Sequence, residues 1–294
     1  MTRVRIGIAG WDYPDWIGPV YPAAARGGVD RLAFVARYVD LVEVNSTFYR
    51  PVAARVAVSW VRRTAARGES FAFSAKAHRS WSHEVGPPGA ETIAATLDGL
   101  RPIREAGKLV ALLVQFPQSF RPDDRALARL ERLRAATGDW PLAIEVRHAD
   151  WQRDETAEWF GRSGLAWCVV DQPRMDGSTA DGRARVTAPV GYLRLHGRNE
   201  QNWFRADAGR DARYDYRYSR TEIAEVAGRV RQMESRCDEL VVVQNNHFRG
   251  QALANALELK ELIERRKPLA PRTLVDAFPD LAARVRVEAS GRLF

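Results

Sequence analysis

Short apolar segments recur along the chain, and their lengths and spacing predict its fold. Each is long enough to form a buried β-strand and too short to form a buried helix. Most are separated by residues with helical spacing, for example Leu32, Val35 and Val39 in the first gap. The eight segments comprise residues 5–10, 41–45, 71–76, 110–116, 142–147, 166–171, 192–196 and 240–245.

Strand-like segments that alternate with helices predict an α/β protein whose parallel strands close into a (β/α)8 barrel of the TIM type. We expect residues 1–294 to form this barrel as one domain, because such barrels commonly reach that length. An open, doubly wound sheet is the alternative. It is less favoured because no glycine-rich phosphate loop follows the first strand.

Two long connections interrupt the alternation. Residues 172–189 are rich in glycine, aspartate and proline, and residues 197–218 are polar and aromatic. Both follow a strand end, so we expect an irregular barrel between strands six and eight, with candidate lids or binding loops there. Solvated insertions without function are the alternative. Ser219 and Glu222 then have capping-box spacing, which predicts a helix start. Residues 276–285 form an amphipathic stretch that we expect to cover an end of the barrel.

The faces of the strands can be assigned because strand side chains alternate in direction. In the fifth segment, Ala143, Glu145 and Arg147 share one face, opposite Ile144 and Val146. The same rule, and the polar residues at strand ends, predict an inward-facing set. Its other members are Glu43, Asn45, Ser74, Lys76, His78, Gln115, Asp171, Tyr192, Arg194 and His196, with one or more of residues 244–246.

Polar residues concentrate at the carboxyl ends of these strands, where barrel enzymes have their active sites. Buried charges need partners, so we expect three carboxylates to balance three cations in the barrel. A structural network of ion pairs that fills the barrel is the alternative to an active site. The six charged residues are Glu43, Glu145, Asp171, Lys76, Arg147 and Arg194.

Charge and cysteine content narrow the classes of function. The formal net charge is +8, and arginine supplies 41 of the 45 basic residues, since four are lysine. We therefore expect a small anionic or sugar-like ligand, with nucleic acid as an alternative partner, although aspartates interrupt the basic residues 205–220. Cys168 and Cys237 are predicted to be free thiols. No segment suits a signal peptide or a bilayer span, so we expect a cytoplasmic protein without a membrane partner.

Several motifs, in order along nearly the whole chain, resemble those of the YecE-like family, domain of unknown function 72. They are Gly10-Trp-Asp-Tyr-Pro-Asp-Trp16 with Tyr21-Pro22, Glu43-Val-Asn-Ser-Thr-Phe-Tyr-Arg50, Lys76, Gln115-Phe-Pro117, Glu145-Val-Arg-His148 with Trp151, Arg194-Leu-His-Gly197, and Asn245-Asn246 with Gly250-Gln-Ala252. The resemblance implies a TIM-type barrel with a polar site at its top, and it implies no particular reaction. His247 stands where many members carry aspartate, and Gln118 replaces a frequent second proline.

The polar set suggests acid/base catalysis by a hydrolase or isomerase on an anionic or polyhydroxylated substrate. Glu43 and Glu145 would take opposite proton-transfer roles, and His196 would shuttle protons. Lys76 would neutralise charge or form a Schiff base. A structural role for His196 is the alternative.

The remaining site residues are predicted to bind the substrate. Arg147 and Arg194 would clamp a carboxylate or phosphate. The other predicted binding residues are Trp11, Asn45, Tyr49, Gln115, Asp171, Asn245 and Asn246. Trp16, Trp203 and residues 214–218 would wall the pocket, with core packing as the alternative for the tryptophans.

No cofactor is predicted, because the chain has no HExxH motif or comparable metal-ligand spacing. A metal centre is an alternative, and so is a small-ligand binding protein without catalysis. The metal ligands would come from Glu43, His78, His83, Glu145, Asp171, His196 and His247.

Overall fold

A computed structural model describes residues 2–23, 28–84, 86, 88–173, 183–203, 205 and 210–288 of the chain. Eight parallel strands pair in chain order, and β1 also pairs with β8, so the sheet closes into a barrel. The strands are β1 (Arg3–Ala9), β2 (Leu41–Val44), β3 (Ala72–Lys76), β4 (Leu109–Gln115), β5 (Leu142–Glu145), β6 (Ala166–Asp171), β7 (Val190–Leu195) and β8 (Glu239–Gln244). The predicted (β/α)8 barrel is confirmed, and each predicted strand overlaps an observed one.

Helices pack around the barrel with their apolar sides inward. The helices of the described residues are α1 (Arg31–Val35), α2 (Ala54–Arg63), α3 (Ala90–Glu105), α4 (Asp124–Thr137), α5 (Asp154–Arg162), α6 (Glu200–Trp203), α7 (Arg210–Arg213), α8 (Arg220–Glu234), α9 (Gln251–Glu264) and α10 (Arg272–Ala277). Ser219 and Glu222 form the predicted capping box at the start of α8. That helix buries Ile223, Val226 and Val230, which recur at helical spacing.

The two interrupted connections have different structures. Of residues 172–189, positions 174–182 lie outside the described residues, and 183–189 contain no helix. Residues 197–218 contain the short helices α6 and α7, and positions 204 and 206–209 lie outside the description. The expected irregularity between strands six and eight is therefore present in the part of the connections that is described.

The C-terminal tail lies along the outer wall of the barrel. After α9, β9 (Leu269–Ala270) pairs with β10 (Arg286–Val287), and α10 lies between them. The Thr273 hydroxyl donates to the Val20 carbonyl oxygen, in the connection that follows β1. The Tyr38 hydroxyl donates to Glu288, just before β2 begins. The tail thus contacts both the connection after β1 and the residues just before β2. That residues 276–285 cover an end of the barrel stays a prediction.

The barrel interior changes from apolar to polar towards the carboxyl ends of the strands. Its apolar layers contain Ala9, Leu41, Ala72, Val110, Ala111, Leu113, Ala143, Ala166, Cys168, Val170, Tyr192, Val241 and Val243. Cys168 is a buried free thiol, as predicted, and Cys237 is a half-buried one. Within the described ranges, no helix combines the length and the apolar character needed to cross a membrane.

Candidate functional site

Arg194 lies at the centre of the polar layer and joins two strands across the barrel. One guanidinium nitrogen donates to Glu43 at 2.7 Å and the other donates to Glu145 at 2.5 Å. The Tyr192 hydroxyl donates to the second oxygen of Glu43 at 2.8 Å and lies 2.8 Å from the Ser74 hydroxyl. Both carboxylates are 0% exposed. They form charge-assisted hydrogen bonds, which are stronger than neutral ones.

A second arginine and a histidine complete the surroundings of Glu145. Arg147 donates from its Nε to Glu145 at 2.9 Å. Burial by itself would raise the pKa of Glu145, but Arg194, then Arg147 and His196, hold it well below its usual value. The carboxylate is therefore ionised at neutral pH. We call Glu43, Glu145, Arg147 and Arg194 the inner cluster.

His196 is a buried neutral group at the edge of the inner cluster. Burial lowers its pKa to about 4, although the nearby Glu145 carboxylate acts in the opposite direction. The Asn245 amide nitrogen lies 2.9 Å from Nδ1 of the ring, and Nε2 lies 3.5 Å from Glu145. With Nδ1 accepting from Asn245, the ring carries its hydrogen on Nε2 and directs it towards Glu145. His196 therefore orients Asn245 and lies beside Glu145.

Lys76 is the cation of the layer that no carboxylate neutralises directly. Its half-buried amine lies 4.5 Å from the centre of the Phe48 ring. Burial and the positive charge of Arg194 lower its pKa to about 8, and Glu43 and Glu145 only partly offset this. Within the described part of the chain, its amine has no hydrogen bond or ion pair. A substantial fraction of this amine is therefore unprotonated near physiological pH.

A cavity of about 280 Å³ opens above the inner cluster at the carboxyl ends of the strands. Its lining combines carboxamides, aromatic rings and cationic groups. Asn45 Oδ1 is buried and accepts no hydrogen bond from the described residues. A buried acceptor of this kind is available to a ligand. The lining residues are Tyr13, Asn45, Phe48, Tyr49, Lys76, His83, Gln115, Arg194, Tyr214, Asn245 and His247.

Comparison with known proteins identifies the family of this barrel. A family model described as "Protein of unknown function DUF72" matches residues 5–276 of the chain. This chain belongs to the DUF72 family. The resemblance that the sequence motifs predict is therefore confirmed.

Curated and solved DUF72 relatives match much of the chain. UPF0759 protein YunF of Bacillus subtilis (strain 168) is 29% identical over 285 residues, covering 92% of this chain and 99% of that protein. UPF0759 protein YecE of Escherichia coli O157:H7 is 26% identical over 175 residues, covering 59% of each. The crystal structure of a DUF72 family protein from Thermotoga maritima MSB8 is 33% identical, with a TM-score of 0.78, covering 89% of this chain and 99% of that one.

Most of the predicted site residues of this DUF72 barrel converge. Lys76, Asn45, Gln115, Arg194 and Asn245 line the cavity, as does Tyr49 at its mouth, where its side chain is 65% exposed. Glu43, Glu145 and His196 lie beneath the lining and contact it through Arg194 and Asn245. These side chains therefore lie close together at one end of the barrel, as predicted, and their roles stay predictions.

Asp171 does not belong to the inner cluster. In β6, Cys168 and Val170 face the barrel interior, so Asp171 faces the surrounding helices. Both of its oxygens accept from Arg198 at 2.9 Å, and one accepts from the Tyr218 hydroxyl at 2.9 Å. Arg229 donates to it at 3.2 Å. We call Asp171, Arg198, Tyr218 and Arg229 the outer cluster.

The predicted balance of three carboxylates and three cations is therefore wrong. Two carboxylates, Glu43 and Glu145, face three cations in the polar layer. The layer has a formal excess of one positive charge (3 − 2), because Asp171 is directed away from it. Charge within the cavity thus favours an anion.

Asn246 and Trp11 also lie outside the cavity lining. The Asn246 amide donates to the Tyr216 carbonyl oxygen and to Asn255, both at 2.9 Å. Trp11 packs edge-on against Trp60 in α2, with 5.6 Å between ring centres. Of the two asparagines that follow β8, only Asn245 lines the cavity. The predicted placement of Asn246 and Trp11 in the pocket is wrong.

The remaining wall candidates divide between core and cavity. Trp16 is buried and donates to the His247 carbonyl oxygen at 2.7 Å, so it packs in the core. The ring centre of Trp203 lies 5.9 Å from that of His196. Trp203 also packs against Tyr214, and of these two residues Tyr214 lines the cavity. His78 directs its ring to Ser80 at the following turn.

Two lining residues, Tyr13 and Phe48, were not predicted. Both lie in connections after strands, within motifs 10–16 and 43–50, and strand alternation does not apply there. His83 and His247, predicted from the sequence as alternative metal ligands, also line the cavity. His247 stacks on Tyr13 with 4.4 Å between ring centres, and His83 packs edge-on against Phe48 at 5.1 Å. The aromatic residues of both motifs are the sequence signal that points to Tyr13 and Phe48.

The proposed metal ligands do not form a group around one point. Among the residues that the structure describes, no set of three or more His, Cys, Asp or Glu side chains is arranged to hold a metal ion. Glu43 and Glu145 bind the two ends of the Arg194 guanidinium, and Asp171 belongs to the outer cluster.

Proposed function

We propose that this DUF72 protein is an enzyme of the isomerase type that transfers protons within a small anionic or polyhydroxylated substrate. The observation that carries the proposal is the Lys76 amine, which faces the cavity without an ion-pair partner among the described residues and has a pKa of about 8. General acid/base catalysis is most effective when the pKa of the group lies near the working pH. Proton transfer by this amine at neutral pH therefore requires little driving force.

Hydrolysis by a pair of glutamates is less well supported. That reaction needs one carboxyl group to donate a proton while the other acts as a base or nucleophile. Both carboxylates are bound to Arg194, and neither lines the cavity. Glu145 and Glu43 instead hold Arg194 in place and adjust the charge near Lys76. We assign them, with His196, as positioning residues.

His83 is the second proton-transfer candidate. Its ring lines the cavity, and its Nδ1 lies 2.8 Å from the Ser82 hydroxyl. Partial burial, followed by the positive charge of Lys76, lowers the pKa of His83. The ring is therefore neutral at physiological pH and can accept a proton.

The lining selects the class of substrate. The excess positive charge favours a carboxylate or phosphate, and the carboxamides of Asn45, Gln115 and Asn245 suit hydroxyl groups. A volume of about 280 Å³ suits a ligand of the size of a small sugar phosphate or hydroxy acid. Nucleic acid is a weaker candidate, since Arg217 and Arg220 of the basic stretch pair with Glu258 and Glu261.

Hydrogen exchange into a panel of small molecules tests this function. The protein is incubated in deuterated water with small sugar phosphates, free sugars and hydroxy acids, and carbon-bound deuterium is followed by NMR. We expect exchange into at least one anionic member, loss of that exchange in Lys76→Met, and no change in Lys267→Met. Exchange that survives in Lys76→Met, or no exchange with any member of the panel, would overturn the proposal.

A further inference from the structure

We propose that the Lys76 amine forms a Schiff base with an aldehyde or ketone group of the substrate. This inference rests on the proposed function and specifies its substrate class as a small anionic carbonyl compound. A half-buried primary amine that faces a polar cavity can react as a nucleophile as well as a base. The geometry of Lys76 differs in this respect from that of every other lysine of the chain.

The chain contains four lysines, and their surroundings separate them clearly. Lys108 donates to two backbone carbonyl oxygens, and Lys260 pairs with two carboxylates. Lys267 is exposed on the surface. Only the Lys76 amine lies in the cavity at the carboxyl ends of the strands, next to carboxamides that can bind a carbonyl compound.

The surroundings of Lys76 favour the unprotonated amine that this reaction requires. With a pKa of about 8, its unprotonated fraction near pH 7.5 is about 200-fold larger than that of an ordinary lysine. The amine lies against an aromatic ring, which offers no strong acceptor. The charged and titratable groups that act on it are Arg194, Glu43, Glu145, Arg147 and His83.

The covalent step balances without an added oxidant or reductant. The amine lone pair attacks the carbonyl carbon, a C–N bond forms, and the carbonyl oxygen takes up a proton to give a carbinolamine. Nitrogen then loses a proton, and the carbinolamine hydroxyl takes up a second one. The nitrogen lone pair forms the C=N bond as the C–O bond breaks, and water leaves, which yields the protonated imine. His83 is placed to accept and return these protons, because both His83 and Lys76 pack against Phe48.

The imine makes the proton transfer of the proposed function easier. A protonated imine withdraws electrons from the neighbouring carbon more strongly than a carbonyl group does, so the adjacent C–H is more acidic. Lys76 would then activate the substrate while His83 removes or returns the proton. The positive charge of the imine remains close to Glu43 and Glu145, which partly offset burial and the positive charge of Arg194.

Reductive trapping with glyoxylate tests the covalent step on the intact protein. Glyoxylate is a small anionic aldehyde, and cyanoborohydride reduces its imine to a stable carboxymethyl group that peptide mass mapping can locate. Glycolaldehyde serves as the neutral probe of similar size. We expect glyoxylate to label Lys76 at least about tenfold faster than Lys267 near pH 7.5, and to prefer Lys76 more strongly than glycolaldehyde does.

The outcomes separate this inference from the proposed function. Equal labelling of Lys76 and Lys267 would overturn the Schiff base, even if deuterium exchange still required Lys76. Rapid labelling of Lys76 with no exchange in the panel would support the covalent step and overturn the isomerase proposal. Lys267→Met serves as the matched variant, and it is expected to retain the labelling rate at Lys76.

Discussion

The inner and outer clusters are built from the same types of group and differ in what surrounds them. Arg194 binds two carboxylates inside the barrel, and Asp171 binds two arginines outside it. The outer cluster is enclosed by side chains and contacts α8 through Arg229. The inner cluster opens onto a cavity and has Lys76 above it as an additional cation.

This difference distinguishes charged groups that hold segments of the protein together from charged groups that a ligand in the cavity can reach. Asp171 binds both Arg198 and Tyr218, which stand near the two ends of residues 197–218. The outer cluster thus fixes the segment that brings Tyr214 to the cavity wall. The inner cluster fixes the electrostatic surroundings of one amine. We therefore propose that exposure to the cavity, and not membership of a charged network alone, marks the reactive group.

Arg194→Met should produce the largest loss of stability. Removing one partner from a buried ion-pair network leaves uncompensated charge, which costs about 3–5 kcal/mol. Arg194 is the main group that holds the pKa of Glu145 down, so in the variant this pKa would rise, and part of the loss should be recovered as the pH is lowered from about 7 to about 5. Urea denaturation at several pH values measures both effects. A loss below about 1 kcal/mol would contradict the assignment of Arg194 as the centre of the inner cluster.

The effect of Lys76→Met on stability should depend on whether the Lys76 amine is protonated, and therefore on pH. The folded-state pKa of Lys76, about 8, lies below its unfolded value, so the unfolded chain binds more protons between these two pKa values. The stability of the wild type should therefore rise relative to Lys76→Met by about 2–3 kcal/mol from about pH 7.5 to about pH 10. Lys267→Met, an exposed control, should show no such trend. A wild-type advantage that is constant with pH would contradict the prediction.

Asp171→Asn should reduce stability by about 2 kcal/mol, since it removes charge-assisted hydrogen bonds from two arginines. Burial would raise the pKa of Asp171, but Arg198 and Arg229 hold it below its usual value. The stabilisation is therefore present at neutral pH and is lost as the pH falls through the folded-state pKa. Thermal denaturation of both proteins from neutral to acid pH measures the difference. An unchanged difference at acid pH would show that the outer cluster is not ionic.

Arg121→Met should have the smallest effect on stability, and it serves as the reference for the other substitutions. Arg121 pairs with Asp150 at 3.4 Å on the surface, where both side chains are exposed. Surface pairs contribute little, so we expect a change within about 0.5 kcal/mol by urea denaturation. A change as large as that of Asp171→Asn would mean that burial does not explain the stability that the outer cluster contributes.

Strand periodicity predicted the fold and most of the polar layer. Glu43, Lys76, Gln115, Glu145 and Arg194 were identified because their positions alternate with apolar residues that pack against the helices. Asp171 was assigned to the site as the polar end of its strand. Cys168 and Val170 face the barrel interior, so alternation along β6 places Asp171 on the opposite face. Strand periodicity alone therefore predicts that Asp171 lies outside the polar layer.

Residues in the connections could not be placed from periodicity. Tyr13 and Phe48 reach the cavity because turns after β1 and β2 direct them inward, and turn geometry depends on tertiary contacts. The Tyr13 hydroxyl, for example, donates to the Ala9 carbonyl oxygen at 2.5 Å. The neutral state of His196 also depends on burial, which several distant segments create together. Sequence alone predicts His196 to be a proton shuttle, whereas its buried setting favours a positioning role.

The titration of the four lysines by NMR tests the central claim most directly. Isotope-labelled lysine gives one amine signal for each residue, and Lys76→Met identifies the signal of Lys76. We predict that Lys76 titrates with a pKa of about 8, separated from exposed Lys267. An ordinary pKa of about 10.4 for Lys76 would show that the inner cluster does not prepare this amine for reaction.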